Sequence, residues 1–257
     1  MSLVPWGIWA ASSGAGLEPA AGYSLWLDGK DSASFSFSSG ALVSEWRDKS
    51  GNDYHFSQGT VSNQPIRSVS KLVTFDGSND LLQASTKFMN NAHNGGSNSF
   101  FIVSEITTVR AGDQIILGTN SNLSAERGFM IAYGSSSGSL RSYVSNGTTG
   151  QDVVFALSTT SQSAGSLGVW NLRLDANASV SSRAEYYFNT GSVETGSNSS
   201  GSSPSASDST FLPTMGAYGK LDNYAAIKIA EILWYESDLG TTDREATRDY
   251  LIRKWGI

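Results

Sequence analysis

Five aspartates, Asp28, Asp48, Asp53, Asp76 and Asp80, fall within the first third of a 257-residue chain, each close to the Gly, Asn or Ser of a turn. Such carboxylates offer two chemistries. As hard oxygen donors they suit calcium, which takes six to eight oxygens. As turn residues, Asp and Asn cap neighbouring backbone N–H groups while Gly and Asn tolerate positive φ. The stretch "DGSND" (76–80) is not an EF-hand loop, because it lacks the acidic third position, the glycine at six and the late glutamate. Four tyrosines, Tyr133, Tyr143, Tyr218 and Tyr224, border Gly/Ser-rich turns. There a ring can stack on a sugar while Asn and Asp bond its hydroxyls, or the same rings can cover sheet edges.

Other chemistries are poorly served. The two histidines, His55 and His93, are distant in sequence and there is no cysteine, so a His/Cys metal centre cannot be assembled and thiolate chemistry is absent. No nucleophile elbow, phosphate loop or dinucleotide fingerprint occurs. Seventeen Lys and Arg against 23 Asp and Glu give a formal charge of -6, which argues against a nucleic-acid groove, where clustered cations must neutralise phosphates. Four sequons, at Asn122, Asn146, Asn177 and Asn198, are what a Ser/Thr/Asn-rich chain yields by chance.

The elements that must position these groups are strands. Period-two runs such as "YSLWLDG" (23–29), "KLVTFDG" (71–77), "RGFMIAYG" (127–134) and "AAIKIAEILWY" (225–235) recur between Gly/Ser/Asn turns. About a dozen such runs predict an all-β, two-sheet antiparallel sandwich of the jelly-roll kind. One short C-terminal α-helix is expected in "TTDREATRDYLIRKWGI", with Thr242 and Glu245 as a capping box, Ala246, Tyr250, Leu251 and Trp255 on the packed face, and Gly256 as the stop. The polar stretch 191–210 reads as a surface loop within one domain spanning 23–257.

Ahead of that domain, residues 1–22 form an apolar arm and hinge. "MSLVPWGIWAASSGAG" lacks a basic start, is interrupted by Pro5 and is too short to span a bilayer, which needs about 20 apolar residues. The expectation is an extended assembly arm in which Leu3, Val4, Trp6, Ile8 and Trp9 bury themselves against a partner.

Four stretches in order, "LWLDG" (25–29), "EWRDKSGNDYHF" (45–56), "VTFDGSNDLL" (73–82) and the terminal "IAEILWYESDLGTTDREATRDYLIRKWGI" (229–257), resemble the concanavalin A-like lectin/glucanase superfamily in its laminin-G-like branch. The resemblance implies a pair of curved antiparallel sheets, with calcium near the strand ends in some relatives. Glucanases of that superfamily carry Glu-x-Asp-x-x-Glu or Glu-x-Asp-x-Glu on one strand. Here "EILWYE" offers Glu231 and Glu236, with Leu233 where the Asp would stand and an odd spacing that sends the two to opposite faces. A retaining pair needs carboxyls about 5 to 5.5 Å apart. The expectation is therefore a non-catalytic module.

The arm, the absence of cysteine and the acidic sandwich also resemble virion proteins of tailed bacteriophages. That likeness implies a homo-oligomeric head decoration, head fibre or tail component, held through residues 1–16 by virion proteins or by copies of itself. It would present a lectin-like face to cell-surface glycan. A secreted or cell-surface carbohydrate-binding module is the alternative, and a glycan-degrading enzyme the third reading.

Overall fold

The computed structural model describes residues 18–121, 124–196 and 201–257. The arm residues Leu3, Val4, Trp6, Ile8 and Trp9 lie outside them. The described residues form an all-β antiparallel sandwich closed by one helix, α1 (Thr241–Trp255). No helix among them is long and apolar enough to cross a membrane.

Hydrogen bonds join all the strands into one network, and the pairings resolve it into two layers. The first centres on β17 (Ala226–Tyr235), which pairs on one edge with β8 (Ser97–Ile106) and on the other with β1 (Leu25–Asp28) and β6 (Val73–Asp76). β8 continues to β13 (Leu167–Asp175), β14 (Ala184–Phe188) and β15 (Glu194–Thr195). The second layer runs β2 (Phe35–Ser39), β3 (Leu42–Trp46), β4 (Phe56–Ser57), β7 (Leu82–Ala84), β16 (Thr214–Met215), β9 (Gln114–Gly118), β10 (Arg127–Tyr133), β11 (Ser139–Asn146) and β12 (Asp152–Ser161). A short β5 (Ile66–Arg67) bridges β3 and β6, joining the layers.

Alternation decides what each face holds. Leu25 and Leu27 of β1, Phe100 and Ile102 of β8, Trp170 and Leu172 of β13 and Ile232 and Trp234 of β17 all point between the layers, with Phe129, Ile131 and Tyr133 of β10 facing them. The intervening residues Trp26, Phe101, Val103, Val169, Leu233 and Tyr235 form a second apolar surface on the outer face of the first layer. α1 covers that surface, which is why β8 and β17 are buried along nearly their whole length instead of alternating with solvent.

The helix differs in detail from its sequence reading. It begins at Thr241 after Gly240, with no side-chain cap, so Thr242 and Glu245 form no capping box. The start is set by docking: Leu239 is buried in the outer cluster and its N–H donates to Ser99 Oγ at 3.0 Å. Ala246 is exposed, and the buried stripe is Thr247, Tyr250 and Leu251. Gly256 does close the helix, at φ 71°, the left-handed geometry that glycine adopts without a Cβ penalty. The first described contacts of the chain lie here too, where Ala20 N–H donates to Thr247 Oγ1 at 3.1 Å and Tyr235 Oη donates to Ala20 O at 2.8 Å.

Candidate functional site

The antiparallel register brings four connections to one end of the sandwich. Asp76 pairs with Ala226 and Ile106 with Ile227 in the first layer, while Gln114 pairs with Tyr133 and Tyr133 with Leu140 in the second. The loops leaving those positions, 77–81, 107–113, 134–138 and 216–225, therefore meet. Between them lies a cavity of ≈ 450 Å³ lined by Gly77, Arg110, Asp113, Gln114, Asn223 and Tyr224.

Its walls are cross-linked. Ser136 N–H donates to Arg110 O at 2.8 Å, Gly112 N–H to Ser135 Oγ at 2.9 Å and Asn223 Nδ2 to Asp113 O at 2.9 Å. Gln114 is held from both ends, its Nε2 donating to Thr108 O at 2.9 Å and its Oε1 accepting from Ala226 N at 3.0 Å. Tyr224 Oη donates to Leu221 O at 2.8 Å, which fixes the ring. Asp113 is almost wholly buried; it accepts from Ser135 N at 3.2 Å and pairs with Arg141, whose guanidinium stacks over Phe155. Three non-glycine residues on these loops, Ser136, Leu221 and Asn223, hold positive φ of 57°, 65° and 51°. Such strain persists only where the surroundings over-determine it, and it concentrates at functional sites.

Gly77 is essential to this geometry. At φ +78°, it has Arg110 Nη1 lying where a Cβ would be, with Ala226 Cβ 2.9 Å from the same point. Its carbonyl accepts from Arg110 Nη1 at 2.9 Å. Gly77→Ala is expected to cost about 1–2 kcal/mol from the left-handed backbone alone and to displace Arg110. Urea denaturation reads the first effect and loss of ligand binding the second.

Of the four tyrosines singled out in the sequence, only Tyr224 lines this cavity. Tyr218 sits on the same loop, but its ring packs with Ile115, Met130, Ala132 and Tyr143 on the outer face of the second layer. Tyr143 is buried there and donates to Asp152 Oδ1 at 2.6 Å. Tyr133 lies between the layers, fully buried, with its hydroxyl shared by Ser104 Oγ at 2.7 Å and Gln162 Oε1 at 2.8 Å. The alternation of β10 turns Phe129, Ile131 and Tyr133 between the layers and Met130 and Ala132 outward, so Tyr133 is a core residue and not a ligand-stacking one.

The five aspartates do not form one oxygen cage. Asp48 accepts from Trp26 N and Ser50 N through Oδ1 and from Ser50 Oγ and Tyr54 N through Oδ2. Asp53 projects into solvent, its side chain 89% exposed. Asp76 caps Ser78 N at 2.7 Å, and Asp80 accepts from Asp76 N at 3.0 Å. Among the described residues, no group of three or more His, Cys, Asp or Glu side chains could hold a metal ion. Asp28, Asp48, Asp76 and Asp80 face backbone N–H groups or lysines, which fits the turn-capping reading, while Asp53 stands apart from them.

Asp28 belongs to a different network. It lies directly across from Glu231 in the β1–β17 pairing, on the outer face under α1. Lys254 bridges the two, 2.8 Å from Asp28 Oδ1 and 2.7 Å from Glu231 Oε2, and Lys49 approaches Asp28 Oδ2 at 2.9 Å. The indoles of Trp26 and Trp255 donate to Glu231 Oε1 and Oε2 at 2.8 and 2.7 Å. Burial pushes the Glu231 carboxyl up, with the charge of Lys254 opposing and that of Asp28 adding. Burial alone would also raise Asp28, but the hydrogen bonds and charges of Lys254 and Lys49 together hold it below the usual carboxylate range.

Two carboxyls pushed apart in this way can mark an acid and a base, and a cavity of ≈ 460 Å³ lies alongside, lined by Trp26, Asp28, Lys49, Tyr250 and Lys254 among others. Glu231, however, is fully buried and is not part of that lining. Both of its oxygens accept hydrogen bonds, Oε1 from Trp26 and Oε2 from Trp255 and Lys254. The group clamps α1 onto the sheet. Glu236, at the end of β17, adds no partner to it.

No protein-family model matches the chain, and no curated protein matches it in sequence. Solved structures match it in fold. It is similar to Trypanosoma rangeli sialidase in complex with sialic acid (12% identity, TM-score 0.56, covering 92% of this chain and 34% of that one). It is similar also to an arabinofuranosidase complexed with arabinofuranosyl-alpha-1,2-xylobiose (10% identity, TM-score 0.55, 82% and 50%). A third is a receptor-binding domain (14% identity, TM-score 0.54, 91% and 51%). The chain thus spans about a third to a half of the length of these structures. At such identities the likeness is one of fold alone, a β-sandwich.

Sequence reasoning passed over Arg110, Asp113, Gln114 and Asn223. The available signal is slight: "TTVRAGDQ" (107–114) sets one arginine on a turn between two strongly apolar strands.

Proposed function

We propose that this chain is a non-catalytic glycan-binding module whose ligand occupies the cavity between Arg110 and Tyr224. The observation that carries the reading is the cavity itself: fixed amide, carboxylate and guanidinium groups surround one pinned tyrosine ring, the mixture by which polar pockets orient sugars. Preorganisation by the cross-linked loops lowers the ordering cost of binding. The sandwich fold shared with a sialidase and an arabinofuranosidase crystallised on sugars supports carbohydrate as the ligand, and the burial of Glu231 beneath α1 favours binding over hydrolysis.

A glycan array probed with the intact chain, with and without calcium, tests it. Binding is expected in both conditions, weakened at least tenfold by Tyr224→Ala or Asn223→Ala. Failure to bind any sugar rejects the reading, and sugar release abolished by Glu231→Gln would replace it with a hydrolase.

The apolar stretch at residues 1–16 supports a second part of the reading: the module is held on a virion, as a head decoration, head fibre or tail component, by contacts to virion proteins or to copies of itself. Each buried Trp or Leu of that stretch is worth about 1.5–3 kcal/mol. Deleting residues 1–16 removes none of the described contacts, which begin with Ala20. The shortened chain is expected to keep its denaturation midpoint while losing assembly in sedimentation. An unfolded product would make the segment part of the core, and unchanged assembly would remove its docking role.

A further inference from the structure

We infer that the cavity selects glycans bearing a carboxylate, as in uronic or sialic acids, over neutral sugars; this rests on the glycan-binding reading above. Arg110 is exposed at the cavity wall, and its hydrogen bond among the described residues is the single one from Nη1 to Gly77 O. A guanidinium carries five N–H donors in a planar fork, so the Nη2 and Nε edge remains to receive a carboxylate in the bidentate manner for which arginine is suited.

The other charges around it are already neutralised or turned away. Asp113 is paired with Arg141, Lys220 pairs with Asp222 at 3.3 Å, and Asp76 accepts from Ser78 N on its own loop. Among the described residues no carboxylate lies within 4.0 Å of the Arg110 guanidinium nitrogens. Arg110 is thus the cation of the cavity lining that no described carboxylate pairs, on a chain whose formal total is -6. A neutral sugar would leave that guanidinium facing water or a hydroxyl, whereas a carboxylate converts it into a charge-assisted pair. Ser136 N–H holds the Arg110 backbone and Gly77 admits its side chain, so the cation is positioned before the ligand arrives. The fixed Tyr224 ring offers a face to the sugar itself.

Calorimetric titration of the full chain with methyl α-D-galacturonoside, its methyl ester and methyl α-D-galactoside is the test. The free acid is expected to bind at least tenfold tighter than the ester, and added sodium chloride to narrow the gap. Arg110→Gln should bring the acid to the level of the ester, while Arg110→Lys keeps part of the preference. Equal binding of acid and ester by the intact chain, or a preference that survives Arg110→Gln, overturns the inference and leaves glycan binding standing. Absence of binding by all three, together with an array blank for sialylated and neutral glycans, overturns both.

Discussion

Lys254→Met is expected to destabilise the fold by about 3–5 kcal/mol, the usual cost of removing one partner from a buried charge pair. Among the described residues the Lys254 ammonium is the only cation in contact with Glu231, and it also donates to Tyr250 Oη at 2.9 Å. Without it Glu231 is a buried anion held by two indoles, and Asp28 keeps Lys49 alone. Because burial already raises the Glu231 carboxyl, the variant should respond to pH in a defined sense. A group whose folded pKa lies above its unfolded value contributes most below the unfolded value and loses that contribution as pH rises through the folded one. The defect should thus be largest at pH 8 and smallest near pH 5. Glu231→Gln combined with Lys254→Met should recover about 2 kcal/mol by removing the stranded charge. Denaturant titration followed by tryptophan near-ultraviolet dichroism reads both, since Trp26 and Trp255 sit on the clamp. A single variant within about 0.5 kcal/mol of the parent would mean that the clamp holds nothing.

A second large effect is expected on acidification once either His93 or Asp80 is replaced. His93 is fully buried; its Nε2 lies 3.2 Å from Asn90 Oδ1 and its Nδ1 has no partner among the described residues. Burial lowers it from 6.5 to about 4. In the unfolded chain the ring takes a proton near pH 6.5, so stability present above that value is lost as pH falls toward 4, by about 3 kcal/mol in all. Asp80 works the other way. Burial, with the Asp76 charge adding, raises it from 3.8 to about 6 despite the hydrogen bond from Asp76 N. It therefore contributes stability at low pH that disappears as pH rises through 6. The two nearly offset each other between pH 6 and 4, leaving a shallow profile. His93→Gln, whose amide nitrogen can replace Nε2, should gain stability on acidification over that interval. Asp80→Asn should be more stable than the parent at pH 7.5 and lose that advantage by pH 4. Parallel pH profiles for parent and both variants would contradict the assignment.

The legible part of this molecule was the part governed by local pattern. Apolar runs such as "KLVTFDG" and "AAIKIAEILWY" appear as β6 and β17 with bounds shifted by no more than two residues, because strand-forming apolar residues bounded by turn residues mark the run locally. The turn at 76–80 behaves as its Asp, Gly and Asn residues require, since Asx capping acts over two or three residues. The helix was visible for the same reason, but its start was not, because Leu239 docking on Ser99 overrides the local cap. "FLPTMGAYG" (211–219) has the apolar content of a strand, yet within it Thr214–Met215 alone are in strand pairing.

What the sequence determined by itself was therefore the all-β class, the acidic charge, the absence of thiol chemistry and the terminal helix. Only the tertiary structure decided which polar residues work together. Register alone sets Asp28 against Glu231 across 203 positions of chain and brings Lys254 to both. It is also register, acting through Asp76, Ile106, Gln114 and Ala226, that carries Gly77, Arg110 and Tyr224 to one cavity. Side-chain chemistry is local, but proximity between distant strands is fixed by the pairing of backbones and by which face each layer buries. Tyr133 and Tyr224 have the same ring; the fold seals one between two sheets and sets the other at the mouth of a pocket.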